Sequence, residues 1–410
     1  MTFTAHLSED APRRTGTPPR PPAEGVPWLE ARNAAHAAPD PLPARRVDLE
    51  SAAGLTLAEP IDTPVALPAF DTAAMDGFAV AGDGPWQVVG RASAGEVWSG
   101  HLAAGDAVVI STGAQVPRGA DAVLPVEQAH RDGDRVSGRP QPSRTHIRRR
   151  GEDAPAGRRL AEAGVRIGPA LLGLAATCGR DALTVRPRPR VLLLVTGDEL
   201  RNHGVSGGGQ VRDAIGPTLG PLVHELGGEV TGRRYVPDRP VGLLAKELGT
   251  SADPGREADV VIVSGSTSVG ETDQLRQALH SCAARWIVDT VACRPGHPQI
   301  LARLPDGRWL VGLPGNPFAA LASAYTLVAP LLAGLAGRSL PGLPLAAVTG
   351  DVRPARGLTR LLPVTWDGAC ARIMSGHRAA FLHGAALADA LAALPPDWTP
   401  GAPAPLVLLR

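Results

Sequence analysis

The sequence predicts a multidomain α/β protein built around a doubly wound parallel sheet, with β-rich parts on either side. Three strand–loop–helix units follow one another between residues 187 and 336, a pattern that builds parallel sheets covered by helices. Short β-type runs broken by Gly, Pro and Asp flank them. The chain has 410 residues, too many for one ordinary hydrophobic core.

Each unit has its own signature. In the first, PRVLLLVTGDEL is an apolar run of strand length ending in a Thr196-Gly197-Asp198-Glu199 turn. The next segment, PTLGPLVHELGG, spaces Leu219, Leu222, Val223 and Leu226 helically and closes on Gly227-Gly228. The second unit is ADVVIVSGSTSVGETDQLRQALHSC: strand, glycine-serine loop, helix. The third is RWLVGLPGNPFAALASAYTLVAPLLAGL, with Pro317 as a first helical residue and Asn316 as a cap.

Outside the units, FAVAG, WQVVG, AVVIS, AVLPVEQ and DRVSG read as strands of a small β-rich domain. VDLESAAGLTLAEP and PALLGLAATCG read as helical, and the last seventy residues return to short β runs. The expected division is a disordered extension over 1–26, a linker domain of 27–61 with 148–186, a β-rich domain of 62–147, the α/β domain of 187–336 and a C-terminal β domain of 337–410.

Composition narrows the function. The formal net charge is +1 and aromatics are 3%, which disfavours nucleic acid as a partner. No uninterrupted apolar run reaches membrane-spanning length, so no membrane partner is expected and a cytoplasmic location is the default. Cys178, Cys282, Cys293 and Cys370 have neither C-x-x-C spacing nor an accompanying His cluster, so neither a zinc site nor a disulfide framework is expected.

Chemistry is expected at the carboxyl ends of the strands, where such sheets bind ligands. Gly197 allows close backbone approach, while Asp198 and Glu199 suit hydroxyls, amines or a metal; a capping turn is the plain alternative. Ser264-Gly265-Ser266-Thr267-Ser268-Val269-Gly270 leaves amides and hydroxyls free for an anion, or is a surface loop. Pro314-Gly315-Asn316-Pro317 is a rigid turn or simply a helix start. Arg294-Pro295-Gly296-His297-Pro298 carries two cation-forming side chains suited to phosphate, or is a surface turn. Asp76, before Gly77, reads by itself as a turn residue.

Seven segments in order carry a resemblance: LPAFDTAAMDGFAV, STGAQVPRGADAVLPVEQ, HIRRRGEDAPAG, LLLVTGDEL, VSGSTSVGETD, RPGHP and VGLPGNPFA. Together they make the chain similar to the bacterial molybdopterin molybdenumtransferases and to the homologous C-terminal domain of gephyrin. The resemblance implies an elongated homodimer whose α/β domain is of the molybdopterin-binding type. It implies adenylyl-molybdopterin and molybdate as substrates, AMP as product and Mg²⁺ as cofactor. It implies a site shared between protomers, with molybdopterin adenylyltransferase and molybdoenzyme clients as further partners.

Carried position by position, the resemblance implies catalytic roles for Asp76, Glu199, Asp238 and Asp273, with Glu199 and Asp273 holding metal. It implies substrate contacts from Thr112, Arg148, Asp153, Thr196, Gly197, Ser264, Gly265, Ser268, Gly270, Arg294, His297, Pro314, Gly315 and Asn316. The chain departs from the family pattern where Asp213-Ala214-Ile215 lacks an Asn. It departs also at Ser266, where the family has Gly, at Arg294 and His297, where it has lysines, and at HRAAFLHGAALADA, where it has a Ser/Gly-rich stretch. These departures leave a non-catalytic carrier or scaffold for the cofactor as the alternative reading.

Overall fold

The computed structural model describes residues 25–140, 145–249, 258–265, 274–352, 355 and 357–409. The expected roles of Ser266, Ser268, Gly270 and Asp273, and nearly all of the N-terminal extension, fall outside these residues.

The central sheet runs Glu229–Val236, Arg190–Thr196, Val260–Ser264, Trp309–Leu313, Ile300–Arg303, Arg285–Asp289. The first four strands are parallel. The last two pairings are antiparallel, so Ile300–Arg303 runs against the other five strands, and the four parallel strands form the doubly wound core that the sequence predicts. Only residues 304–308 separate Ile300–Arg303 from Trp309–Leu313, too few for a parallel crossover.

Strand periodicity sorts the side chains into two cores. Val191, Leu193, Val260, Ile262 and Val311 pack with Leu219, Leu222 and Phe318 on one face. Leu192, Leu194, Val261, Val263 and Leu310 pack with Leu244, Leu248, Leu275 and Leu279 on the other. A sheet covered on both faces needs apolar residues on both, hence continuous runs such as VLLLV.

The helix from Pro317 to Leu335 has 19 residues and a mean hydropathy of 1.8, long and apolar enough to cross a membrane, but 89% of it is buried as the core helix. It contains a π turn at Ala324–Val328. Against that turn packs the helix Trp28–Ala37, with Trp28 Nε1 donating to Thr326 Oγ1 at 3.0 Å and Arg32 donating to the Tyr325 carbonyl. Val26–Pro27 pairs in parallel with Val291–Ala292.

This changes the expected division in two places. Val26–Ala37 packs with the α/β part instead of the linker domain, because Trp28, Ala31 and Ala35 find their apolar partners there. Val291–Arg294, expected inside the α/β domain, pairs with Thr359–Trp366 of the C-terminal sheet. In that sheet, Thr359–Trp366, Cys370–Ile373, Leu345–Thr349, Pro403–Leu408 and Ala390–Leu394 close into a five-strand ring.

The β-rich part is a six-stranded sheet: His130–Asp132, Arg135–Ser137, Trp86–Ala92, Asp106–Ile110, Gly77–Val80, Ala122–Pro125. The segment VDLESAAGLTLAEP is not an α-helix. Arg45–Asp48 and Thr56–Leu57 are strands against Ala182–Arg186, with one 3₁₀ turn, Leu49–Ala52, between them. Gly54 follows at φ +75°, a conformation that no α-helix contains. All four cysteines are free, and Cys178 and Cys293 are buried.

Candidate active site

A cleft of about 810 Å³ lies at the carboxyl ends of the central strands. Of the expected residues, Thr196, Gly197, Glu199, Asp238, Ser264, Gly265, Pro314, Gly315 and Asn316 line it. The strand ends are drawn close at Gly265, which has φ +90°; a Cβ there would sit 2.6 Å from Thr196 Oγ1. Thr196 Oγ1 donates to the Ser264 carbonyl at 3.1 Å. The Ser264 hydroxyl is buried and has no partner among the described residues.

Two loops are clipped together by their acids. The Asp198 N–H donates to Asp238 Oδ2 at 3.3 Å, and the Asp238 N–H donates to Asp198 Oδ1 at 2.9 Å. Gln274 Nε2 donates to the Asp238 carbonyl. Asp198 therefore ties its turn to a distant loop instead of capping the segment that follows it, while Glu199 stays exposed at the cleft.

Asp213 has a structural role that its local sequence does not announce. This carboxylate is 2% exposed. Its Oδ1 accepts the N–H groups of Ile215 and Gly216, both at 2.9 Å, and its Oδ2 accepts the Tyr235 hydroxyl at 2.9 Å. It thus fixes the start of the helix Ile215–Glu225 at the cleft wall. Burial, together with the bond to Asp213, pushes the Tyr235 phenol up. Asn316 is the residue before the helix, as expected, but its side chain makes no capping bond. Instead the N–H groups of Phe318 and Ala319 donate to the Ala379 carbonyl, at 2.9 and 3.2 Å.

Arg294 and His297 line a second, adjoining cleft of about 850 Å³, which shares Pro298, Pro314 and Asn316 with the first. Strand pairing sets Arg294 opposite Arg360. Burial, then the neighbouring Arg294 charge, lowers the Arg360 pKa. Arg378 and His377 complete a wall with no carboxylate among its residues. His297 Nδ1 lies 2.7 Å from the Val291 carbonyl oxygen, and His377 Nδ1 lies 2.8 Å from that of Met374. Cys293, beside them, is pushed up to about 12 by burial, so its sulfur is a neutral thiol and no ready nucleophile. Sequence reading missed Arg360, His377 and Arg378.

The remaining expected residues form a separate patch on the β-rich part. The Thr112 N–H donates to Asp76 Oδ1 at 2.7 Å, and Arg148 pairs with Asp153 at 2.6 Å. None of the four lines either cleft. Arg148 borders its own cavity of about 590 Å³ with Met75 and His146. Another cavity, about 1010 Å³, touches Arg190, Glu229 and Asp259 at the opposite ends of the strands. It lies away from where such sheets bind ligands.

A doubly wound sheet with acids at its carboxyl edge, beside a cleft whose described lining is basic, has the layout of a protein that binds an anionic ligand. Residues 26–179 match the family described as MoeA N-terminal region (domain I and II), and residues 192–334 match the probable molybdopterin binding domain. The chain is 34% identical over 311 residues to a molybdopterin molybdenumtransferase of Haemophilus influenzae, covering 73% of this chain and 75% of that protein. It is 35% identical over 331 residues to molybdopterin molybdenumtransferase 2 of Mycobacterium tuberculosis, covering 76% and 80%. A crystal structure of a molybdopterin biosynthesis MoeA protein from Pyrococcus horikoshii superposes with a TM-score of 0.73 at 27% identity, covering 94% of this chain and 100% of that one. The chain belongs to the molybdopterin molybdenumtransferase family.

Proposed function

We propose that this protein is a transferase of molybdenum cofactor biosynthesis that takes adenylyl-molybdopterin and molybdate, releases AMP and leaves molybdenum on the pterin dithiolene. The observation that carries this reading is the adjacency of the two clefts. One offers carboxylates, Ser264 and main-chain groups; the other offers three arginines and two histidines, with no acid among its described residues. A phosphate-bearing pterin suits the first, and a compact oxyanion suits the second.

Glu199 fits Mg²⁺, which binds through one or two carboxylates together with substrate phosphates and water; the resemblance adds Asp273. Bound there, the ion neutralises charge on the phosphoanhydride. The chain's own groups orient the ligand: Ser264 donates to it, and Arg294, Arg360 and Arg378 hold the oxyanion. Asp76, Thr112, Arg148 and Asp153 act from the partner protomer of a homodimer in the cytoplasm. A carrier without catalysis is less favoured, because the curated relatives are named as transferases.

The test is incubation with adenylyl-molybdopterin, molybdate and Mg²⁺. AMP release that requires molybdate is expected. Release that ignores molybdate, or binding without release, would overturn the proposal.

A further inference from the structure

We propose that His297 and His377 form a proton-linked pair, each taking up a proton as an oxyanion enters the basic cleft and then donating Nε2–H to it. This rests on the reading of that cleft as the oxyanion site. The two imidazoles come from different parts of the fold: His297 from the turn after Val291–Arg294, His377 from the segment between Cys370–Ile373 and His383–Leu387. Each has Nδ1 against a main-chain carbonyl oxygen, at 2.7 and 2.8 Å. A carbonyl can only accept, so Nδ1 carries a proton in both rings and Nε2 is the nitrogen left with a lone pair.

Neither Nε2 is bonded within the protein or shut away from solvent among the described residues. Both residues line the basic cleft, so each has an unbonded ring nitrogen available to a ligand there. A neutral Nε2 turns a lone pair toward an oxyanion and repels it; a protonated one donates to it. Among the described residues, the charged groups that share the cleft with the pair are Arg294, Arg360 and Arg378, and the remaining titratable neighbour is the neutral Cys293 thiol. Three guanidinium groups disfavour further positive charge without an anion, and a dianion reverses that balance. Proton uptake is therefore tied to binding, and the cleft's charge is set by its occupant.

The experiment is calorimetric titration of the full chain with molybdate, which stays a dianion near neutral pH, in buffers of different ionisation enthalpy. Above the imidazole range, uptake approaching about two protons per anion is expected, and affinity falls up to tenfold per pH unit for each proton taken up, roughly. His297→Gln and His377→Gln should each remove about one proton from the count, and the double variant both. His297→Lys and His377→Lys, which keep a fixed charge, should bind with a flatter pH profile. A merely structural role would lower affinity without changing the proton count, and that result overturns the proposal. Molybdate binding with no proton uptake also overturns it, while leaving the oxyanion cleft intact. No molybdate binding at any pH overturns both.

Discussion

At the scale of single residues, the cleft separates groups that build it from groups free to react. Asp198 and Asp238 exchange main-chain bonds, whereas Glu199 keeps its carboxylate at an exposed position on the same turn. Glu199→Ala is therefore expected to abolish molybdate-dependent AMP release while thermal unfolding stays close to that of the wild type. Normal turnover in this variant would remove Glu199 from the chemistry. Gly265→Ala is expected to behave oppositely. Its Cβ meets Thr196 Oγ1 at 2.6 Å from a backbone at φ +90°, so folding stability should fall by about 2–4 kcal/mol along with activity. Chemical denaturation measures it, and an unchanged midpoint would mean that the strand ends have room to separate. Both residues stand in motifs readable in the sequence. Arg360 does not, and His377 stands only in a stretch that departs from the family pattern. Strand pairing brings Arg360 to Arg294, a relation that no local spacing encodes.

At the scale of elements, periodicity was informative where the chain is covered evenly and misleading where pairing is distant. The runs VLLLV and VVIVS match the two-sided burial they meet in the central sheet. VDLESAAGLTLAEP has a helical composition, but Ala182–Arg186 pairs with both of its ends and tertiary context prevails. The helix Ile215–Glu225 was legible from its leucines; its anchoring was not, because Tyr235 lies a full strand away from Asp213. Asp213→Ala removes the acceptor for two main-chain amides and one phenol at a nearly dry site. A loss of about 2 kcal/mol in folding stability is expected, and Tyr235→Phe should lose less, since the two amide bonds remain. If Asp213→Ala unfolds at the wild-type denaturant concentration, the cap is replaced by water and the helix start does not depend on it.

At the scale of the molecule, one chain holds the expected active-site residues in two places. Asp76 with Thr112, and Arg148 with Asp153, sit on the β-rich part, and none of them lines the clefts of the α/β part. A second copy is the simplest way to bring them together. In a symmetric dimer each cleft would then face the partner's Asp76 patch. The expected consequence is complementation. Asp76→Ala and Glu199→Ala homodimers are each inactive, because every site lacks one group. Mixed in equal amounts with subunit exchange, half of the dimers are heterodimers, and each of these has one site with both groups intact. Activity should recover to about one quarter of the wild-type value, the share that statistical pairing in a two-fold dimer allows. Subunit exchange is checked separately with two affinity tags on the two variants. Recovery absent despite demonstrated exchange would mean that Asp76 serves no shared site, and its exposed carboxylate on Thr112 would be only the turn that the Asp-Gly dipeptide by itself predicts.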